Sequence, residues 1–221
     1  MDRKRATLIG LVAILLWSTM VGLIRSVSEG LGPVGGAAMI YTVSGLLCLA
    51  TVGFPDIKRF SKGYLIAGSV LFVSYEMCLA LSLGFAATRA QAIEVGMVNY
   101  LWPSLTILFA ILFNGQKSTL WVIPGLAISL LGVGWVLGGE NGLHVHDIMQ
   151  NIVSSPLSYG LAFAGAFIWA AYCTVTSRYA RGQNGITLFV LLTALSLWVK
   201  YAVSDQPEMV FSVPVVVKLL M

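Results

Sequence analysis

The sequence predicts an all-α integral membrane protein: a polytopic helix bundle made of inverted five-helix repeats of a ten-helix plan, with about seven and a half helices present. Three observations predict it. Hydrophobic residues make up 58% of the 221 residues and charged residues only 10%, whereas a soluble domain carries about 45–50% and about 25%. The apolar residues run in unbroken windows of about 20, the length a helix needs to cross a bilayer, without the alternation that barrel strands require. Two segments 152 positions apart resemble one another over two successive helices.

The first window, 6–24, follows "MDRKR" and so imitates a secretory signal. Its 19 apolar residues exceed the roughly 7–15 of a signal core, and no small-residue cleavage site closes it, which predicts an uncleaved first span. Continuous apolar windows follow at 33–53, 63–86, 91–113, 119–138, 157–175 and 186–203. An eighth opens at "VPVVVKLLM" from Val213 and stops with the sequence.

Lys and Arg set the orientation. With the N-terminus in the cytoplasm, that side collects nine of them: Arg3, Lys4, Arg5, Lys58, Arg59, Lys62, Lys117, Arg178 and Arg181. The opposite side receives three, Arg25, Arg89 and Lys200, with Lys218 set aside because it lies in the incomplete span. The net charge of +4 therefore reads as topology and contact with anionic headgroups of the lipid bilayer, with no nucleic acid as partner. Cys48, Cys78 and Cys173 all fall within spans, which excludes a disulfide framework.

The repeat is carried by "AILLWSTMVGLIR" around Trp17 and "GAFIWAAYCTVTSR" around Trp169, each with a tryptophan mid-span and an arginine eight or nine residues later. At the same offset, "PVGGAAMIYTVSGLL" from Pro33 falls on "GITLFVLLTALSLW" from Gly185. Five spans separate the copies, an odd number, so the two run in opposite senses through the membrane. Inverted repeats of this kind build secondary transporters, with the site near the midplane between them. The division expected is 1–139 for the first repeat, 140–156 for a periplasmic loop and 157–221 for an incomplete second repeat. A complete protein would then carry ten spans, so this sequence lacks helices nine and ten and most of eight.

Only two of the nine acidic residues lie in spans, Glu76 and Glu94. An ionised group at the bilayer centre costs about 2.5–3.5 kcal/mol and faces a cavity or a partner. At about 100° per residue, Gln91, Glu94, Asn99, Trp102 and Thr106 share one broad face of the fourth helix, with Tyr100 pointing elsewhere. Phe72, Tyr75, Glu76 and Leu79 share a face of the third. On the sixth, Ser158, Ala162, Gly165, Trp169, Tyr172, Cys173 and Thr176 do the same. Pro103 deprives Asn99 of the donor its carbonyl would meet one turn on, a defect tolerated where protein or a water-filled cavity satisfies it. Asn99, Trp102 and Glu94 are expected to line that cavity. Aromatic faces bind flat apolar or cationic ligands, and Glu76 or Glu94 would attract an ammonium group or shuttle a proton. The histidines of "GLHVHDIMQ" read as part of a solvated loop, and no metal or cofactor is expected. No nucleophile-base set lies at one depth, so an enzyme is not expected.

The stretches "LLWSTMVGLIRSVSEGLGPVGGAAMIY", "SYEMCLALSLGFAATRAQAIEVGMVNYLWPSLTILFAILFNGQK" and "GAFIWAAYCTVTSRYARGQNGITLFVLLT" resemble the EamA branch of the drug/metabolite transporter superfamily, in particular its bacterial amino-acid exporters. The resemblance implies an inner-membrane carrier with two inverted repeats around a central cavity. It also implies outward movement of phenylalanine, tyrosine, tryptophan and other amino acids, and tolerance of methyl viologen (paraquat). The helices that line the family's cavity carry Trp17, Tyr75, Glu76, Asn99, Tyr100, Trp102, Trp169 and Tyr172 here. The family continues beyond the point where this sequence stops. Three readings remain open: an amino-acid exporter working by alternating access, with or without a coupled proton; an efflux pump for organic cations such as viologens; and an inactive truncated fragment.

Overall fold

The computed structural model describes residues 3–138, 142–206 and 208–220, without the side chains of residues 3–6, 147 and 220. The charges of Arg3, Lys4, Arg5 and Asp147 therefore lie outside the described side chains, as do the boundary residues 139–141. Every helix and strand assignment among the described residues is helical. The helices are α1 (Arg3–Leu31), α2 (Pro33–Thr51), α3 (Lys62–Gly84), α4 (Arg89–Asn99), α5 (Trp102–Asn114), α6 (Val122–Leu137), α7 (Val145–Ser154), α8 (Pro156–Tyr179), α9 (Ile186–Val203) and α10 (Val213–Leu220), with a short 3-10 turn at Ile57–Arg59 between α2 and α3.

Local chemistry explains the boundaries. Gly32, at φ 76° and ψ 161°, takes an extended positive-φ conformation open mainly to glycine and ends α1, and Pro33 opens α2 where no backbone donor is needed. Ser61 caps α3 by accepting from the Tyr64 amide, and Thr88 caps α4 by accepting from that of Gln91. Between α4 and α5 the chain turns through Tyr100 and Leu101, where the Leu101 amide bonds the Val98 carbonyl three residues back. Pro103 stands in the first turn of α5. The residue therefore splits the fourth span into two helices instead of bending one.

Among the described residues, six helical stretches are long and apolar enough to cross a membrane: Thr7–Leu31, Pro33–Thr51, Lys62–Gly84, Arg89–Asn114, Pro156–Tyr179 and Ile186–Val203. The expected span 119–138 contains α6, a shorter apolar helix of 16 residues, about 24 Å long at 1.5 Å per residue. One correction concerns 140–156, read as a loop: it contains α7. Ile148 and Ile152 pack on the interior, and the Asn151 side-chain amide donates to the Leu137 carbonyl at 2.8 Å, tying α7 to the end of α6. Spacing of four residues between the two isoleucines is the helical period, and Val145, Met149 and Val153 extend the same pattern.

The most extensive pairings are α3 along α8 and α2 along α9, followed by α5 against α8, while α1 meets α10 over a smaller contact. The pairings of α3 with α8, α2 with α9 and α1 with α10 map onto themselves when α1–α2–α3 and α8–α9–α10 are exchanged. Small residues allow the close approaches: Ala162, Gly165 and Ala166 of α8 are buried, and a Cβ on Gly165 would stand 3.4 Å from Cys78 Cβ of α3. With no hydrophobic drive between helices in lipid, such close backbone contact is a main source of association.

Gly84, the last residue of α3, is the tightest joint in this part of the bundle. A Cβ there would lie 2.9 Å from Pro33 Cβ and 3.0 Å from Pro33 Cα, a backbone atom that cannot rotate away. Overpacking costs about 1–3 kcal/mol. Gly84→Val is therefore expected to lower the melting temperature of the detergent-solubilised protein, whereas Gly63→Ala, with nothing within 4 Å, leaves it unchanged. A thermal melt of the two variants checks this.

Next to that joint Arg25 clasps three helices. Its guanidinium donates to Glu29 at 3.2 Å, to the Gly84 carbonyl at 3.2 Å and to the Ala86 carbonyl, and Glu29 also accepts from Arg89 at 2.8 Å. The Arg178 guanidinium makes a related contact, donating to the Phe113 carbonyl at the end of α5 at 3.2 Å. Both arginines complement the negative end of a neighbouring helix.

Candidate functional site

α1, α2, α3, the α4–α5 break, α8, α9 and α10 enclose a cavity of about 670 Å³. Its wall is mainly apolar, and the rings on it form a connected set. Tyr75 lies 4.3 Å from Trp169 between ring centroids, Trp169 stands 6.2 Å from Trp102 and Trp102 6.3 Å from Trp17, the last two pairs edge to face. Such geometries place the positive edge of one ring on the negative face of the next. Deeper in the bundle Tyr172, Phe72, Phe189 and Tyr64 continue the series.

Two polar groups interrupt the apolar wall. Glu76 accepts a hydrogen bond from the Tyr41 hydroxyl at 2.5 Å. Asn99 is 6% exposed, and its amide nitrogen donates to the Tyr75 hydroxyl at 3.2 Å. Its carbonyl oxygen Oδ1 has no hydrogen-bond partner among the described residues. Leaving a buried acceptor unsatisfied costs about 1–3 kcal/mol; this one is packed toward α8, where a Cβ on Gly165 would stand 3.5 Å from it.

Trp17, Tyr75, Glu76, Asn99, Tyr100, Trp102 and Trp169 all lie on the cavity wall. Trp17 is half exposed. Tyr172 does not reach the wall: it stacks behind Trp169 at 5.0 Å and supports that ring. Tyr100, which helical projection turned elsewhere, joins the wall because it sits in the turn between α4 and α5. Glu94 is the clear correction. It stands five residues, about 140°, from Asn99 around one helix, and its carboxylate accepts from the Tyr159 hydroxyl of α8, outside the cavity. Gln91 likewise bonds the Ala87 amide and Ser154. Among the polar wall residues missed from the sequence are Thr19, Ser44, Tyr41, on a helix with no aromatic stripe to mark it, and Lys218 of α10.

His144 precedes α7 and His146 lies in its first turn. No group of three His, Cys, Asp or Glu side chains placed to hold a metal occurs among the described residues. Cys48, Cys78 and Cys173 are free thiols. A shallower depression at the ends of α5 and α8, between Asn114 and Ser177, carries no acid.

A ring-walled midspan cavity in a helical membrane bundle is consistent with several carriers, and comparison with known proteins decides between families. The EamA-like transporter family matches residues 4–138. The chain belongs to that family. Within it, the chain is 73% identical over 220 residues to the aromatic amino acid exporter YddG of Escherichia coli (strain K12), covering 100% of this chain and 75% of the exporter. To the YddG exporter of Salmonella typhimurium (strain 14028s / SGSC 2262) it is 74% identical over 219 residues, covering 99% and 75%. The YddG exporter of Ancylobacter novellus is 30% identical over 200 residues, covering 88% of this chain and 66% of that protein. A crystal structure 24% identical in sequence superposes with a TM-score of 0.68 over 99% of this chain and 74% of the other, and shows the shared fold alone. This EamA-like chain is accordingly a multi-pass membrane protein.

Proposed function

We propose that the cavity carries phenylalanine, tyrosine, tryptophan and other amino acids outward across the bacterial inner membrane by alternating access between two inverted repeats. The observation that carries this is the pairing of a continuous aromatic wall with two polar wall residues, Glu76 and Asn99. Trp17, Tyr75, Tyr100, Trp102 and Trp169 offer faces and edges to a planar side chain, with Tyr172 behind. Glu76 offers an acceptor to its ammonium group, and Asn99 stands beside it on the wall. Identity above 70% with two aromatic amino acid exporters supports the substrate class.

The repeat boundaries follow the same reading: 1–139 forms the first repeat and 157–221 belongs to the second, with 140–156, including α7, on the periplasmic side. Support comes from the exchange symmetry of the helix pairings and from the family match, which ends next to the last residue of α6. The excess of Lys and Arg places the N-terminus in the cytoplasm. A second substrate class, organic dications such as methyl viologen, is favoured by the Glu76 carboxylate among rings, since an aromatic face attracts a cation by about 0.5–2 kcal/mol.

The test is Asn99→Ala in proteoliposomes. A purely structural asparagine loses one hydrogen bond to Tyr75, about 0.6 kcal/mol in a membrane, and gains about 1–3 kcal/mol from removal of the unsatisfied acceptor. The expected result is an unchanged or raised melting temperature together with phenylalanine exchange reduced about tenfold, the equivalent of about 1.4 kcal/mol. Full exchange in the stable variant would remove Asn99 from the site.

A further inference from the structure

The cavity also contains a cation. Lys218 lies on α10 and lines the same cavity as Glu76, beside Leu219. α10 is fixed at this register by Val215, buried against Val27 and Leu31 of α1. Val215 also packs against Gly30, where a Cβ would stand 2.6 Å from its Cγ2. Residues 215, 218 and 219 share one helical face, so the contact that seats Val215 on α1 also turns Lys218 toward the cavity. The ion pairs among the described side chains join Arg25 to Glu29, Arg59 to Asp56 and Arg89 to Glu29. None involves Lys218.

An ammonium group inside a span with no ion pair among the described side chains is costly, and a ligand carboxylate removes that cost. We propose that Lys218 binds the α-carboxylate of the carried amino acid, so that the cavity recognises a zwitterion by both ends: carboxylate on Lys218, ammonium on Glu76, and side chain among the rings. The inference rests on the reading of the cavity as an amino-acid carrier and adds the group that distinguishes an amino acid from an amine. The four-carbon lysine stem lets the ammonium follow the carboxylate as helices move, which a rigid guanidinium fork does less readily.

The experiment uses the full-length protein in proteoliposomes, with uptake of labelled phenylalanine competed by unlabelled phenylalanine or by phenylalaninamide, which keeps the ring and the amine but lacks the carboxylate. Wild type is expected to be inhibited at about tenfold lower concentration by the acid than by the amide. In Lys218→Gln the KM for phenylalanine rises about tenfold and the acid loses its advantage, while inhibition by the amide stays within twofold and shows that the cavity is intact. Lys218→Arg restores most of the preference. A Gln variant that still prefers the acid as wild type does, or a wild type that does not distinguish the two, overturns the assignment and leaves Lys218 as a residue extending to the headgroups. Wild-type protein that moves no phenylalanine overturns the carrier reading itself, and the carboxylate site with it.

Discussion

Trp169→Ala is expected to abolish phenylalanine and tryptophan transport, reducing initial rates at least about a hundredfold at matched protein levels. The ring has four aromatic neighbours, Tyr75 at 4.3 Å, Tyr172 at 5.0 Å, Phe72 at 6.0 Å and Trp102 at 6.2 Å. It is the junction through which the wall formed by Trp17 and Trp102 connects with α3. Each such pair is worth about 0.5–1.5 kcal/mol beyond its area, so truncation removes one binding face and frees the rings that supply the others. Two losses of about 1.4 kcal/mol already give a hundredfold. Trp169→Phe keeps a face at that position and is expected to retain transport within about tenfold. Initial rates in proteoliposomes, with a thermal melt of both variants, check this. Wild-type rates in the Ala variant would mean that the substrate passes elsewhere.

How much of this could be read beforehand follows from what periodicity measures. A twenty-residue apolar window reports length and environment, so the long spans were legible, and so was the face shared by Phe72, Tyr75, Glu76 and Leu79, because α3 is one unbroken helix. Projection assumes such a helix. In the fourth span it was applied across the turn at Tyr100 and Leu101, where bonds to the third residue back advance the chain by about 120° per residue instead of 100°. Tyr100 was turned away as a result, and an arc of 140° was wide enough to hold Asn99 on the cavity and Glu94 against Tyr159. α7 escaped for another reason. Its apolar residues Val145, Ile148, Met149, Ile152 and Val153 fall at the amphipathic spacing of i, i+3, i+4, i+7 and i+8, a signal within the sequence that a search for bilayer-length apolar windows passes over. Tyr41 and Lys218 depend on which helices meet: α2 presents Tyr41 to Glu76 only because α2 and α3 pack together, and no pattern within either helix records that.

Glu76→Gln is the substitution expected to separate charge recognition from proton coupling. Glutamine keeps the shape and an oxygen to accept from Tyr41, which donates to Glu76 at 2.5 Å, so the packing between α2 and α3 survives. What disappears is the negative charge facing the cavity. Hydrogen bonds to a charged group contribute about 1.5–3 kcal/mol against about 0.5–1.5 for neutral ones. Phenylalanine transport is therefore expected to fall about tenfold. Methyl viologen, which has no N–H to donate and is held by charge and ring faces alone, is expected to fall further. The reduction should be the same across roughly pH 6 to 8 if the carboxylate only attracts the ammonium group. A carboxylate that exchanges a proton during the cycle predicts something different: wild-type rates that vary with pH, and a Gln variant whose profile is flat for every substrate alike. A carboxylate that only joins α2 to α3 predicts rates within about twofold of wild type for both compounds, since such bonds average about 0.6 kcal/mol in membranes. Measuring both substrates over that pH range in one preparation distinguishes the three. The position of Glu76, on the cavity wall with Tyr41, Tyr75 and Phe72, favours the first, because the one acid that lines the cavity among the described residues is within reach of whatever the aromatic wall holds.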